Sequence, residues 1–126
     1  MKGILWATPM TSVIVQPLYP NRADVPHVTL AYGCDRGTYE KVIGLPVTLG
    51  ITAHAWNGEV QALRCVLPTW LHCQVGEPHL TLSWVNGSAP VKASLMLENE
   101  HQEEEMQLAV HCMIEFFEWQ KRAAQQ

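Results

Sequence analysis

Two histidines and two threonines stand at matching positions in a segment that the chain repeats. Pro-His-Val-Thr-Leu at 26–30 recurs as Pro-His-Leu-Thr-Leu at 78–82, with four of the five residues identical. Because successive side chains of a strand point to opposite faces, each copy places its histidine and threonine on one face. If the two strands are neighbours, one imidazole can remove a proton while the other supplies one, and the hydroxyl groups can bind phosphate oxygens. The candidate residues for such phosphodiester chemistry are His27, Thr29, His79 and Thr81.

A structural interpretation of the same residues competes with this one. A single His-x-Thr sequence is common in strands, because threonine favours strands and a histidine is often simply hydrogen-bonded in a core. Two copies that share the preceding proline and the same alternation favour a functional role over a duplicated structural strand.

The repeat resembles the two His-x-Thr/Ser-x motifs for which the 2H phosphoesterase superfamily is named. Its members include RNA 2′-5′ ligase-like proteins, cyclic phosphodiesterases and short bacterial or phage enzymes that degrade cyclic nucleotide signals. The resemblance implies a bilobal α+β fold, in which two pseudo-symmetric antiparallel sheets with flanking helices enclose a central cleft. It also implies metal-independent catalysis by His27 and His79, with Thr29 and Thr81 binding the phosphate. Which histidine is the acid and which is the base stays open.

The resemblance covers the motif strands, and other parts of the chain depart from it. Larger members carry a helix between the first strand and the first motif, where this chain has a proline-rich segment at 9–26. The motif histidines are also only 52 residues apart, although a hairpin and a short helix fit between them. The lid and the base-recognition loop are therefore left unassigned.

Further candidates for substrate binding are aromatic and basic residues. Tyr32 and Trp84 each lie five residues beyond their motif histidine. This odd offset points both away from the catalytic face of a regular strand, so we predict core positions for them unless the glycine that follows marks a bulge, in which case they could stack on a base. Trp6 and Trp56 can either stack on a base or pack in the core. The cations that could meet a phosphate are Arg22, Arg36, Lys41 and Arg64. Arg64 is the least ordinary of them, because it lies on an apolar strand.

The elements that must position these residues are mostly short strands. Four prolines in the first 26 residues exclude a long helix there. Asn57-Gly58 between two β-rich runs is a strong signal for a hairpin. We predict strands at 3–7, 12–16, 27–32, 47–56, 60–67, 79–85 and 90–97, and a short helix at 38–43.

From about Glu100 onward, the spacing of the apolar residues predicts an amphipathic helix. The predicted stripe consists of Met106, Ala109, Val110, Met113, Phe116 and Phe117. Acidic residues at the start of this segment, and Lys121 and Arg122 at its end, suit the dipole of a helix. Together these elements predict a single α+β domain over residues 1–126.

Composition excludes several classes of protein. The chain has 126 residues, of which 48% are hydrophobic and 16% charged, so it is folded and not intrinsically disordered. No run of 18 apolar residues occurs, which predicts no membrane span. Six histidines and four cysteines show neither metal-ligand spacing nor a disulfide pattern. We therefore expect no metal, no cofactor and reduced thiols in a cytoplasmic protein, the host cytoplasm if the source is viral.

The net charge of -4 bears on the substrate. A protein that binds a long polynucleotide needs a basic surface, which this composition does not favour. We therefore predict a phosphodiesterase for a small cyclic nucleotide or cyclic oligonucleotide. RNA-end processing, either hydrolysis of a 2′,3′-cyclic phosphate or 2′-5′ ligation, is the alternative enzyme. The alternatives without catalysis are a binder that sequesters a nucleotide and a structural module.

Overall fold

Alternating apolar and polar residues place about half of the chain in strands. The structure is a computed structural model that describes residues 2–119. Its strands are β1 (Lys2–Pro9), β2 (Val28–Asp35), β3 (Pro46–Trp56), β4 (Val60–Val66), β5 (His79–Trp84) and β6 (Gln102–Glu118). They close an antiparallel barrel in the order β1-β2-β5-β4-β3-β6. The one α-helix in this part of the chain is α1 (Lys92–Glu98), and none of its helices is long and apolar enough to cross a membrane.

Aliphatic side chains fill the interior of the barrel. In a small barrel alternate residues of each strand point inward and pack against one another. The largest inward side chains are Leu5, Leu30, Leu49, Ile51, Leu63, Leu80 and Ile114, all nearly inaccessible to solvent. Burying one such side chain stabilises the fold by roughly 1.5–3 kcal/mol. Because these side chains fill the interior, a substrate-binding site has to lie on the outer face or in the loops.

The predicted bilobal α+β fold with two sheets is wrong. Strand β6 is the physical reason, because it pairs with β1 through residues 112–118 and with β3 through residues 102–113. One long strand therefore joins both halves into a single closed barrel. Of the flanking helices that the resemblance implied, the described residues contain only α1.

The predicted C-terminal helix is also wrong, since its sequence forms β6. The apolar residues of this segment fit a period of two better than a helical period. The alternating series that packs on the core is Met106, Leu108, Val110, Cys112, Ile114 and Phe116. Ile114 is fully buried, although the helical stripe leaves it out. The predicted helix end at Lys121 and Arg122 lies outside the described residues.

The strand predicted at 90–97 is wrong for the opposite reason, because this segment contains helix α1. The buried residues of α1 are Ala93, Met96 and Leu97, and spacings of three and four are typical of one helix face. They pack on Val60 and Ala62 of β4. Helix α1 thus covers part of the outer surface of the barrel next to β5.

The hairpin predicted at Asn57-Gly58 is confirmed, with β3 and β4 as its arms. Asn57 Oδ1 accepts hydrogen bonds from the backbone N–H groups of Glu59 and Val60, both at 2.9 Å. Gly58 takes a φ of +87°, which a glycine adopts without strain. The helix predicted at 38–43 is replaced by a 3₁₀ turn at Arg36–Tyr39.

Residues 10–26, which we call the strap, connect β1 to β2 across one end of the barrel. They are irregular, so the strand predicted at 12–16 is wrong, as the surrounding prolines make understandable. The buried side chain of Gln61 accepts a hydrogen bond from Leu18 N at 2.9 Å. The backbones of Asn21 and Trp84 exchange two hydrogen bonds of 3.1 and 3.0 Å. These contacts hold the strap against β4 and β5.

Candidate active site

The two motif segments lie side by side on β2 and β5. These strands pair at Val28 and Leu80, whose side chains face the core and are 0% and 1% exposed. Because the strands are antiparallel and the motifs are equally offset from this pair, a local twofold axis relates one motif to the other. The structure therefore brings the four predicted site residues to the outer face of the barrel: His27, Thr29, His79 and Thr81.

Both histidines are held in the same way by the backbone that precedes them. His27 Nδ1 lies 2.7 Å from the carbonyl oxygen of Val25, and His79 Nδ1 lies 2.9 Å from that of Glu77. A carbonyl oxygen only accepts, so Nδ1 of each ring carries the hydrogen. A neutral imidazole in this tautomer has its lone pair on Nε2. Each Nε2 is therefore available for proton transfer with a bound molecule.

All four side chains line one cavity of about 640 Å³. Its other walls come from the strap, from β2, from the loop before β5 and from the start of α1. They consist of Ala23, Tyr32, Val75, Pro90, Val91 and Ser94. The volume is in the range of small-molecule sites. Since these lining residues include no aspartate or glutamate, the wall does not repel an anion.

The surroundings of His27 favour its neutral form. Burial lowers the pKa of His27, because the charged ring would lose hydration there. The hydrogen bond to Val25 acts in the opposite direction, and repulsion from His79 lowers the pKa further. Trp6 contributes to the burial, since its ring centroid lies 4.2 Å from that of His27. The lowered pKa makes His27 the candidate general base.

We expect the imidazole of His27 to titrate below its ordinary value of 6.5. We also expect its pKa to rise in His79→Gln, because the repulsion from a neighbouring cation is then removed. Long-range ¹H–¹⁵N correlation spectra recorded over a pH series measure both values. His111→Gln is the control, since His111 lies on β6 and is hydrogen-bonded to Thr48. A His27 midpoint at or above 6.5 would contradict the prediction.

The core position predicted for Tyr32 is wrong, because its side chain is 65% exposed and lines the cavity. The register between β1 and β2 shifts at Leu30. As a result Leu30 and Ala31 are adjacent in sequence and both buried. Such a bulge reverses the alternation and returns Tyr32 to the face that carries the histidine. The glycine that follows, Gly33, does mark a register shift, but the shift that reorients Tyr32 lies earlier, at Leu30, where the sequence contains no signal.

Trp84, which follows the second motif, has a different environment. It is partly buried and packs against the hydrophobic cluster between β4 and α1, so it lies at the edge of the core and not within it. The two copies therefore diverge immediately after the motif. Tyr32 is the aromatic residue that the cavity offers for stacking on a nucleobase.

The other predicted binding residues lie outside the cavity lining. Arg64 pairs with His79 across β4 and β5, but its guanidinium group contacts the carboxylates of Glu77 and Glu103. Trp56 lines a separate pocket at the β3–β4 hairpin. Trp6, as described above, lies behind His27, where it can support the ring but is only 9% exposed.

Three of the four cysteines are poor candidates for nucleophiles. Burial raises the pKa of Cys65 to about 12 and that of Cys112 to about 11. Burial also raises the pKa of Cys73, which lies nearer the cavity through its contact with the carbonyl of Thr29. A reactive thiol needs a lowered pKa instead. Residues 2–119 also contain no group of three His, Cys, Asp or Glu side chains that could hold a metal ion.

Comparison with known proteins assigns no family to the chain. No protein-family model matches it, and no curated protein shows significant similarity to it. The chemistry of the site is therefore inferred from its geometry and from the resemblance of its two motifs.

Proposed function

We propose that this protein is a metal-independent phosphodiesterase of the 2H type that cleaves a small cyclic nucleotide or cyclic oligonucleotide. One observation carries the proposal. Two imidazoles, each with its Nδ1 hydrogen donated to a backbone carbonyl, line the same cavity as two threonine hydroxyls. A duplicated structural strand does not require that symmetry on a solvent-accessible face. The four free cysteines fit a protein that acts in a reducing cytoplasm.

The proposed reaction uses the two Nε2 atoms in opposite senses. Neutral His27 takes a proton from water or from a ribose 2′-hydroxyl as that oxygen attacks phosphorus. The phosphorus–oxygen bond to the leaving group breaks, and protonated His79 gives its Nε2 proton to the departing oxygen. His27 ends protonated and His79 neutral, and exchange with solvent restores both. The hydroxyls of Thr29 and Thr81 donate hydrogen bonds to the non-bridging oxygens, where negative charge increases.

The shape and charge of the cavity support a small substrate. Its apolar walls at Tyr32, Val75 and Val91 suit a base, and the histidines and threonines suit a phosphate. The protein carries a net charge of -4, which disfavours a long anionic chain but costs little for a compact nucleotide. The cavity therefore supports a cyclic nucleotide more than an RNA strand.

A panel of cyclic mononucleotides, cyclic dinucleotides, cyclic trinucleotides and RNA with a 2′,3′-cyclic phosphate end tests the proposal. Products are resolved by mass, with EDTA present throughout. We expect a linear product from at least one closed cyclic nucleotide. Cleavage of the RNA end alone would identify the end-processing enzyme instead. Stoichiometric binding without a product would identify a sequestering protein, and neither binding nor turnover would identify a structural module.

A further inference from the structure

A second cavity, of about 450 Å³, adjoins the active-site cavity. The two cavities share Ala23 and Thr81 as lining residues. They therefore meet beside a hydroxyl group that we assign to phosphate binding. Most of the second cavity is formed by the strap, including Thr11, Ser12, Arg22 and Asp24.

The position of Arg22 is fixed relative to the active site. Its neighbour Asn21 forms a β-bridge with Trp84 at the end of β5. The Asn21 side chain adds hydrogen bonds to the Trp84 carbonyl at 3.2 Å and to Asn86 Oδ1 at 2.9 Å. Because β5 also carries His79 and Thr81, the backbone at Arg22 is tied to the strand that bears half of the proposed catalytic machinery.

Arg22 forms no ion pair within the part of the chain that the structure describes, although the carboxylate of Asp24 lines the same cavity. Lys2, Arg64 and Lys92 each contact a carboxylate. Arg36 lies over an aromatic ring at 5.8 Å. No carboxylate of residues 2–119 lies within salt-bridge distance of Arg22, although it lines a cavity. A cation placed in this way is suited to an anion supplied by a ligand.

We propose that the second cavity binds a second phosphate group of the substrate, so that the enzyme prefers a cyclic dinucleotide to a cyclic mononucleotide. This inference rests on the proposed function. The guanidinium group of Arg22 binds the second phosphate through charge-assisted hydrogen bonds, and the hydroxyls of Thr11 and Ser12 add donors. The carboxylate of Asp24 is a hydrogen-bond acceptor, so it suits a base N–H or a ribose hydroxyl and not the phosphate itself. A cavity that combines these groups fits a nucleotide unit better than a bare phosphate.

Arg22→Met tests the subsite, because it removes the charge and keeps a long side chain. We expect kcat/KM for a cyclic dinucleotide to fall roughly 10- to 100-fold, as for the loss of a hydrogen bond to a charged group. The value for a cyclic mononucleotide should change less than about twofold, since such a substrate has no second phosphate. Lys2→Met is the control, because Lys2 lies at the start of β1, contacts Asp35 and lines neither cavity, and it should leave both values unchanged.

A binding measurement separates this inference from the proposed function. Calorimetry with a cyclic dinucleotide is carried out on His79→Ala, with and without Arg22→Met. A rise of roughly tenfold or more in Kd on adding Arg22→Met supports the subsite, whether or not the wild-type protein cleaves the ligand. An unchanged Kd, no binding of the dinucleotide, or an equal loss of activity on both substrates would overturn it. Cleavage of neither substrate by the wild-type protein would reject the phosphodiesterase instead.

Discussion

Replacing either His27 or His79 with alanine should lower kcat by roughly 10²- to 10⁴-fold, the usual contribution of a general acid or base. Without His27, the attacking oxygen keeps its proton while its bond to phosphorus forms. Without His79, the departing oxygen leaves as an unprotonated anion. Steady-state kinetics at neutral pH in EDTA, on whichever nucleotide the panel identifies, measure both losses. Thermal unfolding should change little, because the inward residues Val28 and Leu80 remain in place.

Two comparisons make this expectation specific. His111→Ala alters a histidine of similar chemistry on β6 that is exposed and bonded to Thr48, so it should retain full activity. The double variant of His27 and His79 should be about as slow as the slower single variant, because the two residues act in one step. Full activity in either single variant would show that the histidines are not the acid–base pair.

The part of the site that could be predicted is the part encoded within one strand. The repeated His-x-Thr sequence gives side-chain direction directly, since alternation is a local property. The Asn57-Gly58 hairpin is similarly local, because the turn residues determine its geometry. Both features agree with the structure. That the two motif strands are neighbours was expected only from the family resemblance. Their pairing depends on the rest of the sheet, and the motif residues alone do not determine it.

What could not be predicted depends on partners far away in the sequence. The acidic residues at the start of β6 suit the first turn of a helix, but Glu104 contacts His54 of the paired strand β3, and Glu103 contacts Arg64 of β4, the strand beyond it. These partners favour a strand, but they are distant in the sequence, so the residues around Glu103 do not indicate them. Segment 92–98 is too short for its period to be distinguished from that of a strand. The bulge at Leu30 likewise depends on the register with β1.

The position of the strap also depends on residues distant in sequence, among them one buried amide. Gln61 is 0% exposed, and its side chain makes all four hydrogen bonds of which an amide is capable. Its Oε1 accepts from Leu18 N at 2.9 Å and from Ser83 Oγ at 2.5 Å. Its Nε2 donates to the carbonyl oxygen of Gln16 at 3.0 Å and to His54 Nε2 at 2.8 Å. The strap therefore has a fixed position although it has no regular structure of its own.

Gln61→Leu should reduce the free energy of unfolding by about 3 kcal/mol or more, because it leaves several buried polar groups without partners at about 1–3 kcal/mol each. Urea denaturation monitored by tryptophan fluorescence measures the change. Gln107→Leu is the matched control on an exposed position of β6, and it should alter stability by less than about 0.5 kcal/mol. A Gln61→Leu protein as stable as this control would mean that the amide does not hold the strap. If the prediction is correct, the walls that the strap gives to both cavities depend on a residue that contacts no ligand.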